Sequence, residues 1–168
     1  MKKLFVVRHA KSSWESEEVE DYFRPLKPSG VLDALKVCSY IKRDKIFMPD
    51  IILTSPAIRA YSTALIFSKS LKIPESKFML NDGIYESSKQ ELYAVVKSLD
   101  DRFDKVMLFG HDSSLTDFVN SLSMDNLDKI PTSAVVGILL NIDKWNDLEE
   151  NSGKITHFVS PKQFYSKD

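Results

Sequence analysis

Cysteine is all but missing from this chain of 168 residues: there is one, Cys38, so an intramolecular disulfide framework is excluded. Cys38 falls on an apolar position of an expected helix and reads as a small buried side chain. An excess of either charge is missing too, since 23 Lys and Arg face 24 Asp and Glu. No global basic field is available to hold nucleic acid or an anionic membrane, so neither partner is expected, and any grip on a phosphate must be local. Long apolar runs are also lacking. The opening MKKLFVVRHA begins with two lysines, as a secretory leader does, but Leu4 to Val7 is cut off by Arg8, too short for a leader core or a membrane span. The cytoplasm is the expected compartment. No internal repeat, low-complexity tract or linker interrupts the chain, and no cluster has metal-ligand spacing, so neither a metal nor another cofactor is expected.

What is present suffices for one core. The length lies in the range one domain usually occupies, and 43% of the residues are hydrophobic, so a single domain over residues 1–168 is expected. Short β-rich apolar runs alternate with segments of helical period, the pattern of an α/β fold: a three-layer α/β/α sandwich with a mostly parallel central sheet. Strands are expected at Leu4 to Val7, Asp50 to Leu53, Phe78 to Leu80, Lys105 to Phe109 and Ala134 to Ile142. A further run, Ile155 to Val159, follows the turn signal Asn151-Ser152-Gly153 and can pair beside the last of these.

Four helices are expected between them. The first opens near Pro28, carries Val31, Leu35 and Cys38 on its apolar face, and ends near Asp44. The second is capped by Ser55 with Pro56 in its first position, and runs through Ile58, Tyr61 and Leu65. Ser88 and Glu91 form a capping box for the third, which buries Leu92, Val95, Val96 and Leu99. Leu115, Phe118, Val119 and Leu122 mark the fourth, and the tail from Gln163 to Asp168 is expected to fray.

In such a sheet ligands sit beyond the carboxyl ends of the strands, where loops diverge and helix N-termini point their N–H groups at the crevice. The first strand is followed there by Arg8-His9-Ala10-Lys11-Ser12, the second by Thr54-Ser55-Pro56-Ala57-Ile58-Arg59, and the fourth by Gly110-His111-Asp112. Two of the three histidines and two arginines thus converge on one rim. A neutral imidazole there can attack phosphorus, and guanidinium groups can neutralise the phosphoryl oxygens through paired charge-assisted hydrogen bonds.

The run Val6-Val7-Arg8-His9-Ala10-Lys11-Ser12-Ser13-Trp14, the segment Arg24-Pro25-Leu26 with Gly30, the stretch Ser55-Pro56-Ala57-Ile58-Arg59-Ala60 with Thr63-Ala64, and Gly110-His111 together resemble the histidine phosphatase superfamily. The short length and the lysine and tryptophan after Arg-His resemble its SixA-type phosphohistidine phosphatase branch. The resemblance implies a phosphoglycerate mutase-like fold, with His9 as nucleophile and Arg8, Arg59 and His111 completing a phosphate pocket. As plain structure, the two arginines would be surface ion-pair partners and His111 a capping histidine.

Several residues keep two readings. Ser12 either gives a hydroxyl or N–H to the phosphate or caps a turn, and Arg24 either borders the pocket or stabilises its loop. Glu86 is the candidate proton donor to the leaving group, or else a solvated acid at the start of the next helix; Asp82 is a weaker candidate. Asp112 stands where relatives often carry Asn, so its role stays open, as do those of Trp14 and Lys27. His157, outside every motif, reads as an ordinary partly buried histidine.

The expected activity is a metal-independent phosphatase. Substrate phosphoryl passes to His9, and water then releases inorganic phosphate. A phosphorylated protein bearing phosphohistidine is the partner that the resemblance implies, and with such a substrate the need for an acid falls, because the departing imidazole has a free pKa of about 6.5 and can be protonated by solvent. Short stretches between the strands leave little chain for a lid, which counts against a small phosphorylated metabolite as substrate, though that alternative stands. A non-catalytic phosphate-binding module would have no use for an in-line nucleophile. A phosphoacceptor domain would need acids where Arg8 and His9 stand.

Overall fold

The computed structural model describes residues 1–45 and 48–165. Its strands are β1 (Lys2–Arg8), β2 (Ile51–Thr54), β3 (Phe78–Leu80), β4 (Lys105–Gly110), β5 (Val135–Leu140) and β6 (Gly153–Val159). The helices are α1 (Pro28–Asp44), α2 (Ile58–Leu71), α3 (Lys89–Lys97) and α4 (Ser114–Leu122). The strands form one sheet in the order β3-β2-β4-β1-β5-β6. The first four run parallel, β5 pairs antiparallel with β1, and β6 pairs antiparallel with β5 at the edge.

Side chains alternate across a strand, and the strands are apolar on both faces because both faces are covered. Leu4, Val6, Ile51, Leu53, Val106 and Leu108 point to one side and pack with Leu92 and Val96 of α3 and Leu115, Phe118 and Val119 of α4. Phe5, Val7, Ile52, Met107 and Phe109 point to the other, against Ala34, Val37 and Ile41 of α1 and Ala64, Phe67 and Leu71 of α2. Two helices therefore cover each face, the three-layer arrangement expected.

Two helix faces differ from the expected ones. On α1 the buried residues are Gly30, Asp33, Ala34, Val37, Cys38 and Ile41, while Leu35 is exposed and Val31 half-buried. On α2 Arg59, Ala60, Thr63, Ala64, Phe67, Ser68 and Leu71 are buried, whereas Ile58, Tyr61 and Leu65 are only half-buried. The cause is the same in both: small and charged residues carry the packing toward the site. A Cβ on Gly30 would stand 2.4 Å from the Lys11 carbonyl oxygen, so only glycine lets α1 approach the loop after β1. Lys11 Nζ pairs at 3.1 Å with the buried carboxylate of Asp33.

Helix α2 also begins later than expected: Ala57, not Ser55, holds its N-cap. The Ser88–Glu91 capping box of α3 is present. At the C-terminal end, Pro161–Phe164 forms a 3-10 turn closed by a Ser160–Gln163 capping box rather than a frayed tail, because Phe164 packs on Tyr40 of α1; residues 166–168 lie outside the described ones. Among the described residues no helix is long and apolar enough to cross a membrane.

β1 and β4 are adjacent and parallel, with Arg8 opposite Gly110 at their ends. The chain leaves β1 toward α1 on one face and β4 toward α4 on the other, so the two loops part and open a crevice at the strand ends.

Candidate active site

His9 is the first residue beyond β1. Its N–H donates to the Gly110 carbonyl at 3.1 Å, which ties the two strand ends together. Its ring Nδ1 lies 2.7 Å from the Ala10 carbonyl oxygen. A carbonyl only accepts, so Nδ1 carries the proton and Nε2 keeps its lone pair. Burial, with added repulsion from Arg59, Arg8 and Arg24, pulls the imidazole pKa down to about 4 against the pull of the Ala10 carbonyl. The ring is therefore neutral at neutral pH.

His111, just past β4, stands with its ring 5.4 Å from that of His9, centre to centre. Its Nε2 is 2.8 Å from the Ser55 hydroxyl. Burial, then the charge of Arg59 and the neighbouring His9, lower its pKa to about 3. Ser55, expected as a helix cap, is thus a partner of the second histidine.

Arg59 is buried in the first turn of α2. It donates from Nη1 to the Asp21 carbonyl oxygen at 2.7 Å and from Nη2 to the Asp21 carboxylate at 3.0 Å. Arg24 donates to the other oxygen of that carboxylate at 3.1 Å and to Ser12 Oγ at 2.7 Å. The Tyr85 hydroxyl is a third donor, at 2.8 Å. Burial pushes the Asp21 pKa upward, but Tyr85, Arg59 and Arg24 outweigh it and hold the carboxyl below its ordinary range. Arg8, at the end of β1, donates to the Ile130 carbonyl at 2.9 Å and lies 3.7 Å from Asp112, which also accepts from the Thr116 hydroxyl.

A cavity of roughly 370 Å³ opens among Arg8, His9, Ser12, Arg24, Arg59 and His111, walled further by Lys11, Trp14, Lys27, Asp112 and Thr132. Five cationic side chains face one carboxylate here, so the crevice of a nearly neutral chain is locally positive. A larger cavity of about 960 Å³ adjoins it and shares His111 and Asp112, but it holds no arginine, and an anion finds less there.

The structure therefore brings together Arg8, His9, Ser12, Arg24, Arg59 and His111. Glu86 is not among them. It is exposed, with φ 52° in the left-handed region, and lines the larger cavity with His111. Asp82 is exposed in a short turn. His157, expected to be partly buried, is exposed on the edge strand β6. Sequence reasoning missed Asp21 and Tyr85. The sole local signal for Asp21 is its place three residues before Arg24 in a glutamate-rich loop. Among the described residues no group of three or more His, Cys, Asp and Glu could hold a metal ion.

A sequence profile of the histidine phosphatase superfamily (branch 1) matches residues 4–87. An uncharacterized chloroplastic protein of Arabidopsis thaliana is 35% identical over 78 residues, a stretch that covers 46% of this chain and 34% of that protein. Among solved structures, the protein histidine phosphatase SixA complexed with tungstate aligns with a TM-score of 0.82 at 20% identity, over 97% of this chain and 99% of that one. A mycobacterial glucosyl-3-phosphoglycerate phosphatase aligns with a TM-score of 0.65 at 11% identity, over 93% of this chain and 97% of that one. These two are likenesses of fold. The profile, however, spans half of the sequence and takes in the Arg8-His9 pair at the crevice and Arg59 across from it: the chain belongs to the histidine phosphatase superfamily.

Proposed function

We propose that this protein is a metal-independent phosphatase that carries the phosphoryl group on His9 and acts on phosphohistidine in a partner protein. One observation supports this most. Buried polar atoms are nearly always hydrogen-bonded, and those left without a partner call for an explanation. Among the described residues four such side-chain atoms occur: Arg8 Nε, Arg59 Nε, His111 Nδ1 and Ser133 Oγ. Three belong to residues that line the cavity with His9. The Ser55 hydroxyl already accepts from the Ala57 N–H at 3.3 Å, so its own proton can go to His111 Nε2. With that hydroxyl donating to Nε2, the neutral His111 ring carries its own proton on Nδ1. The residues that carry these atoms ring a neutral nucleophile, and the positive charge of their two guanidinium groups suits the oxygens of a phosphoryl group.

In the first step the Nε2 lone pair of His9 forms a bond to phosphorus while the bond to the leaving nitrogen breaks. The departing imidazole, its other ring nitrogen protonated from solvent, keeps that electron pair and leaves as the neutral ring. Water then attacks phosphorus, the N–P bond returns its pair to Nε2, and inorganic phosphate leaves with the water's proton lost to solvent. Arg8, Arg59 and His111 hold the equatorial oxygens throughout, and Ser12 and Arg24 border them. The cavity's single lining carboxylate, Asp112, is committed to Arg8 and Thr116, and nearby Asp21 is held ionised. Neither suits the protonation of an alkoxide, which favours the imidazole leaving group. Glu86 beside His111 in the larger cavity favours the second reading, a small phosphomonoester whose leaving group reaches that acid.

A phosphate-release screen over phosphohistidine proteins, sugar phosphates and phosphoglycerate, quenched without acid, tests both. Phosphorylated His9 and fastest release from the phosphohistidine protein, undiminished by a chelator, are expected. Faster turnover of the metabolites would establish the second reading, and no trapped phosphohistidine with any substrate would refute the mechanism.

The pKa shift adds a pH prediction. His9 is depressed to about 4, so it is neutral above that pH and takes a proton only below it. At pH 4.5 an unperturbed imidazole of pKa about 6.5 would be roughly 99% protonated, and about a hundredfold less of it would be nucleophilic. NMR titration of the free protein is expected to place His9 near 4; a midpoint near 6.5 would contradict the neutral nucleophile. The same shift makes stability fall with pH between the unfolded value and about 4, because the unfolded imidazole binds a proton that the folded one refuses.

A further inference from the structure

The chain has two tryptophans, Trp14 and Trp145. Trp145 is wholly buried, with its ring N–H donated to the Phe103 carbonyl at 2.8 Å. Trp14 is 71% exposed and forms part of the wall of the phosphate cavity. It is not a loosely hanging side chain. The Arg24 guanidinium lies 3.4 Å from its ring centre and covers one face. Arg24 is itself buried and fixed by Ser12 and Asp21, the residue that also anchors Arg59. The indole thus rests on a rigid base tied to the phosphate-binding arginine, and its large exposure leaves the other face free. The catalytic scheme above gives it no task.

A phosphoryl group seated between His9 and Arg59 must carry its leaving group out through the cavity, where Trp14 is the one aromatic wall apart from the histidines among the described residues. We infer that Trp14 is the platform on which the ring of a nitrogen-heterocyclic leaving group, the imidazole of phosphohistidine, stacks during transfer. This deepens the phosphatase reading and rests on it. A flat ring gains from an indole face what an amine or an aliphatic leaving group cannot. The gain rises as the phosphorylated imidazole takes up its proton, because the ring is then cationic and the indole face attracts cations. Trp14 therefore acts on transfer as well as on binding.

Phosphoimidazole and phosphoramidate both present a phosphoryl group on nitrogen, one with the ring and one without. Comparing kcat/KM on the two with the unaltered protein, Trp14→Phe and Trp14→Ala tests the inference. Stacking of a base on an aromatic side chain suggests that Trp14→Ala lowers the phosphoimidazole to phosphoramidate ratio about tenfold, whereas Trp14→Phe holds it within about threefold. The ratio removes any general loss from uncovering Arg24. Equal losses on both substrates, or no loss on either, would overturn the platform while leaving the phosphatase reading intact. Failure of the unaltered protein to hydrolyse either substrate would overturn that reading and this inference with it.

Discussion

Alanine in place of His9 is expected to cut phosphate release by at least about 10⁴-fold while the protein still binds inorganic phosphate within a few-fold of its original affinity. The split follows from what each group does. His9 is neutral, with Nδ1 spent on the Ala10 carbonyl, so it brings no positive charge to a bound anion and its contribution is the Nε2 lone pair. Removing it deletes the proposed acceptor of the phosphoryl group and leaves Arg8, Arg59 and His111 in place. Binding by those donors survives; transfer does not. The folded state loses one hydrogen bond and a partly desolvated ring, on the order of 1–2 kcal/mol, which urea unfolding can check. Phosphate release within tenfold of the unaltered protein would mean that another group accepts the phosphoryl. Loss of phosphate binding together with turnover would mean that the cavity is built around the ring.

Most of this site was legible in the sequence, because an open parallel sheet leaves few places for the residues that follow its strands. Arg8-His9 and Gly110-His111 lie at the ends of two short apolar runs, and once those runs pair in parallel the two histidines have to meet. Arg59 was legible for a similar reason, although the helix that carries it starts at Ile58 rather than near Pro56. That shift frees Ser55, whose hydroxyl turns to His111. What stayed hidden depends on contacts distant in sequence. Asp21 joins Arg59 across 38 positions and Tyr85 across 64, and nothing in a run of glutamates marks one aspartate as the hub. The buried faces of α1 and α2 were misplaced because apolar periodicity overlooks Gly30, Asp33 and Arg59, which are buried for reasons of close approach and charge.

Arg59→Ala is expected to lower kcat/KM about 10³-fold, the upper end of what loss of one oxyanion donor costs, because the charge goes as well. Two of the five guanidinium N–H groups are committed to Asp21, and Nε lacks a partner, so donors remain for a phosphoryl group whose negative charge must be met in a desolvated crevice. Arg59→Lys should recover little, because one ammonium cannot keep the two-point hold on Asp21 and still reach the phosphate. Asp21→Asn acts through the arginines and not on the substrate; it keeps the shape, drops the charge that holds Arg59 and Arg24, and is expected to cost about tenfold. The double variant separates these roles. If Asp21 works by aiming Arg59, adding Asp21→Asn to Arg59→Ala costs less than it does alone, because the group it aims is gone. Fully additive losses would show that Asp21 acts on the reaction independently of Arg59. A positioning carboxylate fixes the direction of a guanidinium and adds no proton of its own, so Asp21→Asn should also leave the shape of the pH–rate profile unchanged above pH 5. A new limb in that profile would instead make Asp21 a proton-transferring group.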